Sequence, residues 1–191
     1  MLWVIVILVV LALLAIALVV FYNRFVRLRN RVENAWAQIE VQLKRRWDLI
    51  PNLVETVKGY AAHERETFQN VTEARAAAQR AETPAQAAEA EGLLDRALGR
   101  LFAVAEAYPE LQADENFRQL QSEIAETENR VAISRQVYND TVLTFNNAIQ
   151  TVPGVFLAGP FGFTTREFFD VEDDAQREPP RVSFTPGTPA G

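Results

Sequence analysis

The chain begins with an uninterrupted apolar segment from Leu2 to Phe21 that contains no charged residue, glycine or proline. A helix of this length rises about 30 Å, which matches the hydrocarbon core of a bilayer. A cleaved signal peptide would need a basic start and a shorter apolar core, and this segment has neither. The pattern predicts a retained transmembrane anchor over residues 1–23.

Apolar residues recur at steps of three and four from Phe25 onward, which places them on one face of an α-helix. No helix breaker separates this segment from the anchor, so we expect one continuous helix from about Leu2 to Arg46. The pattern and the turn signals together predict a helical bundle over residues 24–150. Its helices are expected at about 24–46, 49–82, 84–107 and 114–150.

Pro51 is the point at which two architectures diverge. Proline has no N–H and its ring clashes with the preceding turn, which favours the start of a new helix there. The prediction is an all-α protein in which a transmembrane helix continues into an antiparallel, up-and-down four-helix bundle. The alternative is three long helices with a kink at Pro51, because the apolar spacing continues through the proline from Leu43 to Val57.

The pattern changes after Gln150. Residues 151–178 are expected to form a Gly/Pro/Phe-rich loop and a short acidic helix, and residues 179–191 an extended or disordered tail. In a four-helix bundle this loop returns to the bilayer, where its Phe side chains insert; with three helices it lies far from the bilayer. The other interpretation is that these side chains cover the open end of the bundle. The candidate membrane-contacting residues are Trp3, Tyr22, Arg24, Arg27, Phe156, Phe161 and Phe163.

Charge is unevenly distributed along the chain. The net charge is −6, yet residues 24–46 carry seven basic and two acidic side chains. A basic collar beside an apolar span favours phospholipid headgroups, and the acidic remainder argues against a nucleic-acid partner. By the positive-inside rule, the collar favours a single-pass protein with its bundle in the cytoplasm. An extracytoplasmic bundle is the alternative.

Catalytic and metal-binding motifs are missing from the sequence. There is no cysteine and one histidine, His63, which argues against thiolate zinc sites, cysteine nucleophiles and histidine triads. Thr67 stands one helical turn after His63, where a helical metal site would need a second ligand. We therefore expect no enzymatic activity, no catalytic residue, no metal and no cofactor.

Two groups of polar residues are candidates for partner binding or for structural hydrogen bonds. One group surrounds the Pro51 junction, and the other lies on the last long helix, where neighbours four residues apart share a face. Capping and interhelical bonding is the structural interpretation, and a partner-binding surface is the functional one. The residues are Arg45, Arg46, Asp48 and Asn52 in the first group and Arg135, Tyr138, Asn139 and Asn146 in the second.

Two blocks of sequence resemble the LemA family of bacterial membrane-anchored proteins. The first is YNRFVRLRNRVENAWAQIEVQLKRRWDLIPNLVETVKGYAAHE, and the second combines SRQVYNDTVLTFN with the Gly/Phe-rich loop and PRVSF. The resemblance covers residues 22–184. It implies a transmembrane helix followed by an antiparallel bundle of four-helix type, and it provides no catalytic or cofactor-binding residue to carry over.

The residues and the resemblance together predict a single-pass protein of the bacterial cell membrane that acts as a non-enzymatic scaffold or adaptor. The expected partners are the lipid bilayer and further copies of the chain, with a membrane protein as an additional candidate. The alternative is an accessory or substrate-presenting subunit of a membrane peptidase or an envelope stress system.

Overall fold

The computed structural model describes residues 1–170, which form helices joined by short turns, with no strand in this part of the chain. The all-α prediction is confirmed. The helices are α1 (Leu2–Lys58), α2 (Arg65–Ala78), α3 (Pro84–Glu106), α4 (Pro109–Ala113), α5 (Glu115–Gln150) and α6 (Gly154–Ala158).

Helix α1 has 57 residues and is therefore about 85 Å long. Residues 1–20 are exposed on every side, whereas from Phe25 onward a residue in almost every turn is buried in the bundle. By length and composition, its apolar part is able to cross a membrane. The same helix thus provides a candidate membrane span and the first element of the bundle.

Pro51 lies inside α1, so the predicted start of a new helix near residue 49 is wrong and the continuous alternative is correct at this position. Proline leaves the Trp47 carbonyl oxygen without its usual helical donor. The Nε of Arg75 in α2 donates to this oxygen at 2.8 Å. Because the freed acceptor is satisfied from another helix, the helical backbone continues to Lys58.

The bundle has two parts along its axis, which differ in the number of helices. We call the part near the apolar segment the thinner level. Far from the apolar segment, α1, α2, α3 and α5 enclose a core that includes Leu53, Leu94, Leu101 and Ile124. The helices α2 and α3 are short, and they pair with each other as a hairpin. Near the apolar segment, only α1 and α5 continue side by side. The predicted helix over 49–82 is thus divided between the end of α1 and α2.

The chain after α5 completes the thinner level. Phe163 and Phe169 pack with the core between α1 and α5. The loop therefore lies near the apolar segment although α1 is unbroken at Pro51. The expectation that an unbroken α1 places the loop far from the apolar segment is wrong, because α5 runs back beside α1 as far as Phe25. Residues 164–170 are not helical. The rest of the expected short acidic helix and the expected tail over 179–191 lie outside the described residues.

Candidate functional site

Three side chains of α5 hold the main chain of the segment that follows α6, and we call this arrangement the C-terminal clamp. Asn146 donates from Nδ2 to the Arg166 carbonyl at 2.9 Å and accepts from the Arg166 N–H at 2.8 Å. Asn139 makes the same pair of bonds with Phe169, at 3.0 and 2.9 Å. The Tyr138 hydroxyl donates to the Glu167 carbonyl at 2.8 Å.

The spacing of the two asparagines explains why the clamp binds extended chain. Asn139 and Asn146 are two helical turns apart, which is about 10.5 Å along α5. Arg166 and Phe169 are three residues apart, which is about 10 Å in extended backbone. Each side-chain amide offers one donor and one acceptor to a main-chain N–H and C=O pair. These bonds recognise the backbone and not the side chains of the bound segment.

Side-chain recognition comes from two buried aromatic residues at the ends of the segment. The Phe163 ring lies 5.3 Å from that of Phe25, and the Phe169 ring lies 6.1 Å from that of Trp36. Phe169 is 1% exposed and Phe163 is 7% exposed. Edge-on and tilted contacts at these distances are favourable for aromatic pairs. Between the two rings, Arg166 forms a 3.6 Å ion pair with Glu33.

Tyr138 combines both functions within the clamp. Its ring packs against Trp36 at 5.6 Å while its hydroxyl binds the segment. Burial raises the pKa of Tyr138 above its ordinary value of 10.0, with Arg166 acting in the opposite direction. The hydroxyl therefore remains a neutral hydrogen-bond donor at physiological pH.

Arg135 lies outside the clamp. It lines a shallow, open depression on α5 together with Ile133, Gln136 and Asp140. The structure therefore joins Tyr138, Asn139 and Asn146 of the predicted second group into one arrangement and places Arg135 beside them.

A second polar cluster is buried where α1 meets α3. Arg46 is 3% exposed; its Nη1 donates to Glu91 Oε2 at 3.0 Å, and its Nη2 donates to Asp95. Trp47 Nε1 donates to the other oxygen of Glu91 at 2.7 Å. Burial raises the pKa of Glu91, and this effect exceeds the opposing contributions of Trp47 and Arg46. The cluster joins the two helices, with Arg46 and Glu91 buried and Asp95 at the surface.

The other predicted residues of the Pro51 junction face solvent. Arg45, Asp48 and Asn52 are exposed. Asp48 pairs with Lys44 at 3.3 Å within α1. The structure does not bring these three side chains together with Arg46. The sequence did not identify the residues that bind the two predicted groups, which are Arg75, Glu91, Asp95 and Phe169. A signal was available for Glu91, because this carboxylate occupies an apolar position in the register of α3.

The end of the bundle beside the apolar segment is rich in aromatic residues. The Tyr22 ring lies 5.2 Å from Phe161 and 5.8 Å from Phe163. Phe163 is buried against Phe25, so the prediction that it contacts the membrane is wrong. Phe156 is 71% exposed, and Trp3, at the far end of the apolar segment, is 78% exposed. Both Arg24 and Arg27 are exposed on α1.

Within residues 1–170, no group of three or more histidine or carboxylate side chains is placed to hold a metal ion. The clamp and the Arg46 cluster bind parts of the chain itself. Chemically, the first recognises an extended polypeptide, and the second stabilises the packing of helices.

The chain is similar to known proteins over most of its length. Magnetosome proteins MamQ 2 and MamQ 1 of Paramagnetospirillum magneticum are each 29% identical over 174 residues, covering 78% of this chain and 64% of the relative. Protein LemA of Metamycoplasma hominis is 27% identical over 130 residues, covering 68% of this chain and 59% of the relative. The chain thus spans less than two thirds of the length of these relatives.

Residues 35–184 match the sequence profile of the LemA family. This range contains most of the bundle, the clamp and the segment that the clamp holds. The chain therefore belongs to the LemA family.

Proposed function

We propose that this protein is a membrane-anchored, non-enzymatic scaffold or adaptor that associates with copies of itself. The observation that supports the proposal is the unbroken α1, in which a fully exposed apolar segment continues into the bundle core at Phe25. An apolar surface of this extent is unfavourable in water. The similarity to magnetosome proteins supports a membrane association as well.

The surface that we assign to self-association is the outer face of α5. Ile133 is 64% exposed, Val137 is 47% exposed and Leu143 is 49% exposed. All three belong to the bundle and not to the apolar segment, and they lie on α5, which packs against α1. Copies anchored in one bilayer meet at a raised effective concentration, so a modest apolar patch is sufficient for association.

Cysteine crosslinking in intact membranes tests this assignment, because the chain has no cysteine of its own. We expect Ile133→Cys and Val137→Cys to form covalent dimers on mild oxidation. The control is Ala103→Cys, which is exposed on α3 and away from this face. Equal dimer yields at all three positions, or monomer alone, would contradict the proposed interface.

The clamp favours a second function, that of an accessory or substrate-presenting subunit for a membrane protein. A helix face that binds backbone through Asn139 and Asn146 is suited to hold an extended segment of another protein as well as its own. The double variant Phe163→Ala, Phe169→Ala should release the chain's own segment and allow a labelled peptide of residues 159–170 to bind. Adding Asn139→Ala and Asn146→Ala should abolish that binding. Binding that survives these two changes would exclude the clamp.

The basic residues after the apolar segment support a cytoplasmic bundle, since Arg24, Arg27, Arg29 and Arg31 follow it directly. Labelling of Glu55→Cys in whole cells with a membrane-impermeant maleimide tests the orientation. We expect Glu55→Cys to be labelled only after the cells are lysed. Labelling of intact spheroplasts would place the bundle on the extracytoplasmic side.

A further inference from the structure

We propose that α6 and the residue pair before it form a second attachment to the bilayer, beside the helical anchor. The attachment consists of three apolar side chains, Val152, Val155 and Phe156, which we call the apolar foot. This inference rests on the proposed membrane anchoring of α1. It adds a lipid-binding surface to the bundle itself.

The height of the foot along α1 is fixed by close packing. A Cβ atom added to Gly154 would lie 3.2 Å from the Phe25 Cζ and would clash with the Ala148 carbonyl oxygen. Phe25 stands four residues beyond the end of the apolar segment, which is about 6 Å along the helix. The Phe161 ring, 5.2 Å from that of Tyr22, fixes the chain at the same level. If the apolar segment spans the bilayer, α6 lies in the headgroup region.

The exposed side of the foot is apolar. Val152 is 74% exposed, Phe156 is 71% exposed and Val155 is 46% exposed. In contrast, Gly154 and Ala158 are buried against the bundle. The short helix therefore packs through Gly154, Ala158 and the partly buried Leu157, and it leaves Val155 and Phe156 uncovered. Such exposure is unfavourable in water and favourable at the boundary between headgroups and acyl chains.

The distribution of charge also favours lipid as the partner. No charged residue occurs between Asp140 and Arg166, so the last ten residues of α5 and the whole foot are uncharged. At the same height, Arg24 and Arg27 are exposed on α1. An apolar wedge beside exposed arginines is the combination that binds an anionic bilayer surface.

Two attachment points constrain the bundle more strongly than one. A single spanning helix leaves the bundle free to rotate about the helix axis and to tilt. With the foot inserted, one side of the bundle faces the lipid. The outer face of α5 is then held at a defined angle to the membrane plane.

Site-specific fluorescence of the full chain in anionic liposomes tests the proposal. An NBD label is attached to Val152→Cys or Phe156→Cys, and quenching is measured with lipids that carry a spin label on the acyl chain. We expect blue-shifted emission and loss of fluorescence at both positions. In the Val152→Cys protein, the further change Phe156→Asp should reverse both effects without unfolding the bundle, because the Phe156 side chain is exposed.

Two controls separate the foot from the anchor. A label at Leu14→Cys, in the apolar segment, should be quenched by the same lipids. A label at Val137→Cys, an exposed position on α5 away from the foot, should not be quenched. Quenching at Leu14→Cys without quenching at either foot position would overturn the foot and leave the anchor in place. Absence of quenching at Leu14→Cys would overturn the membrane anchoring itself. Blue-shifted emission at the foot without quenching by lipid would show that protein covers it.

Discussion

Arg75 Nε donates to the carbonyl oxygen of Trp47 at 2.8 Å, and this oxygen is the acceptor that Pro51 leaves without a helical partner. The contact joins α2 to the C-terminal part of α1. It also lies one residue from Arg46, whose guanidinium binds Glu91 of α3. The point at which α1 tolerates a proline is therefore the point at which three helices are joined.

A double-mutant cycle tests whether Arg75 compensates for Pro51. Arg75→Met should lower the free energy of unfolding by about 1 to 2 kcal/mol, because a partly buried acceptor is left without a donor. In a Pro51→Ala background the helical N–H returns to the Trp47 carbonyl, so the same change should cost less. Urea unfolding of the full chain in detergent micelles, followed by circular dichroism, measures both values.

Arg80→Met is the matched control for this cycle, since Arg80 lies just after α2 and donates an exposed hydrogen bond to the Ala76 carbonyl near the end of that helix. We expect a change within about 0.5 kcal/mol there. An equal cost of Arg75→Met with and without Pro51 would show that the two residues are not coupled.

The clamp predicts a specific loss of backbone protection. Asn146→Ala removes both hydrogen bonds to Arg166 and should destabilise the bound segment by about 1 to 3 kcal/mol. Hydrogen–deuterium exchange should then become faster at the Arg166 amide. Asn147→Ala, at the exposed neighbouring position, should leave this rate unchanged. Unaltered exchange in Asn146→Ala would show that Asn146 does not hold the segment.

Glu91 predicts a pH dependence of stability. Because its pKa in the folded protein is raised above the ordinary 4.5, the folded state binds the proton more tightly than the unfolded state. The stability linked to this group is fully present below about pH 4.5 and is lost as pH rises through the raised pKa. Within that window, the melting temperature of the wild type should fall with pH relative to that of Glu91→Gln. If the melting temperatures of the two proteins change with pH in parallel across the window, the pKa of Glu91 is not raised by folding.

The close packing around Gly154 predicts that no larger residue is tolerated at this position. Gly154→Ala places a Cβ against the Ala148 carbonyl and the Phe25 ring, so α6 must move. Overpacking of this kind costs about 1 to 3 kcal/mol. Gly159→Ala has open space around the new atom and should change stability by less than about 0.5 kcal/mol. Equal stability of the two variants in urea unfolding would contradict the close contact of α6 with α1.

Local signals were sufficient for α3 and α5. Thr83 caps α3 by accepting from the Gln86 N–H at 3.2 Å, and Pro84 occupies the first turn. Threonine and proline are favoured at these positions of a helix N-terminus. The regular apolar spacing beyond Asp114 corresponds to one helix that ends at Gln150. Both elements depend on residues that are neighbours in the chain.

Features that depend on distant residues were not predictable in the same way. The outcome at Pro51 depends on Arg75, which belongs to another helix. The role of Asn139 and Asn146 depends on a segment that has no periodic pattern, so the pair was identified without its ligand. Phe163 is a candidate for membrane contact because it is aromatic and lies in the Gly/Pro/Phe-rich loop, and the other interpretation is that it covers the open end of the bundle. It packs against Phe25, which agrees with the second interpretation.

The central claim is that one unbroken helix carries both the membrane segment and the bundle, and a distance along α1 tests it most directly. Spin labels on Arg24→Cys and Glu55→Cys, with the protein in liposomes, report the separation of the two positions by pulsed electron paramagnetic resonance. A continuous helix predicts about 46 Å between the two backbone positions. A helix that turned back at Pro51 would shorten this separation by about 10 Å, and a peak at the shorter distance would contradict the claim.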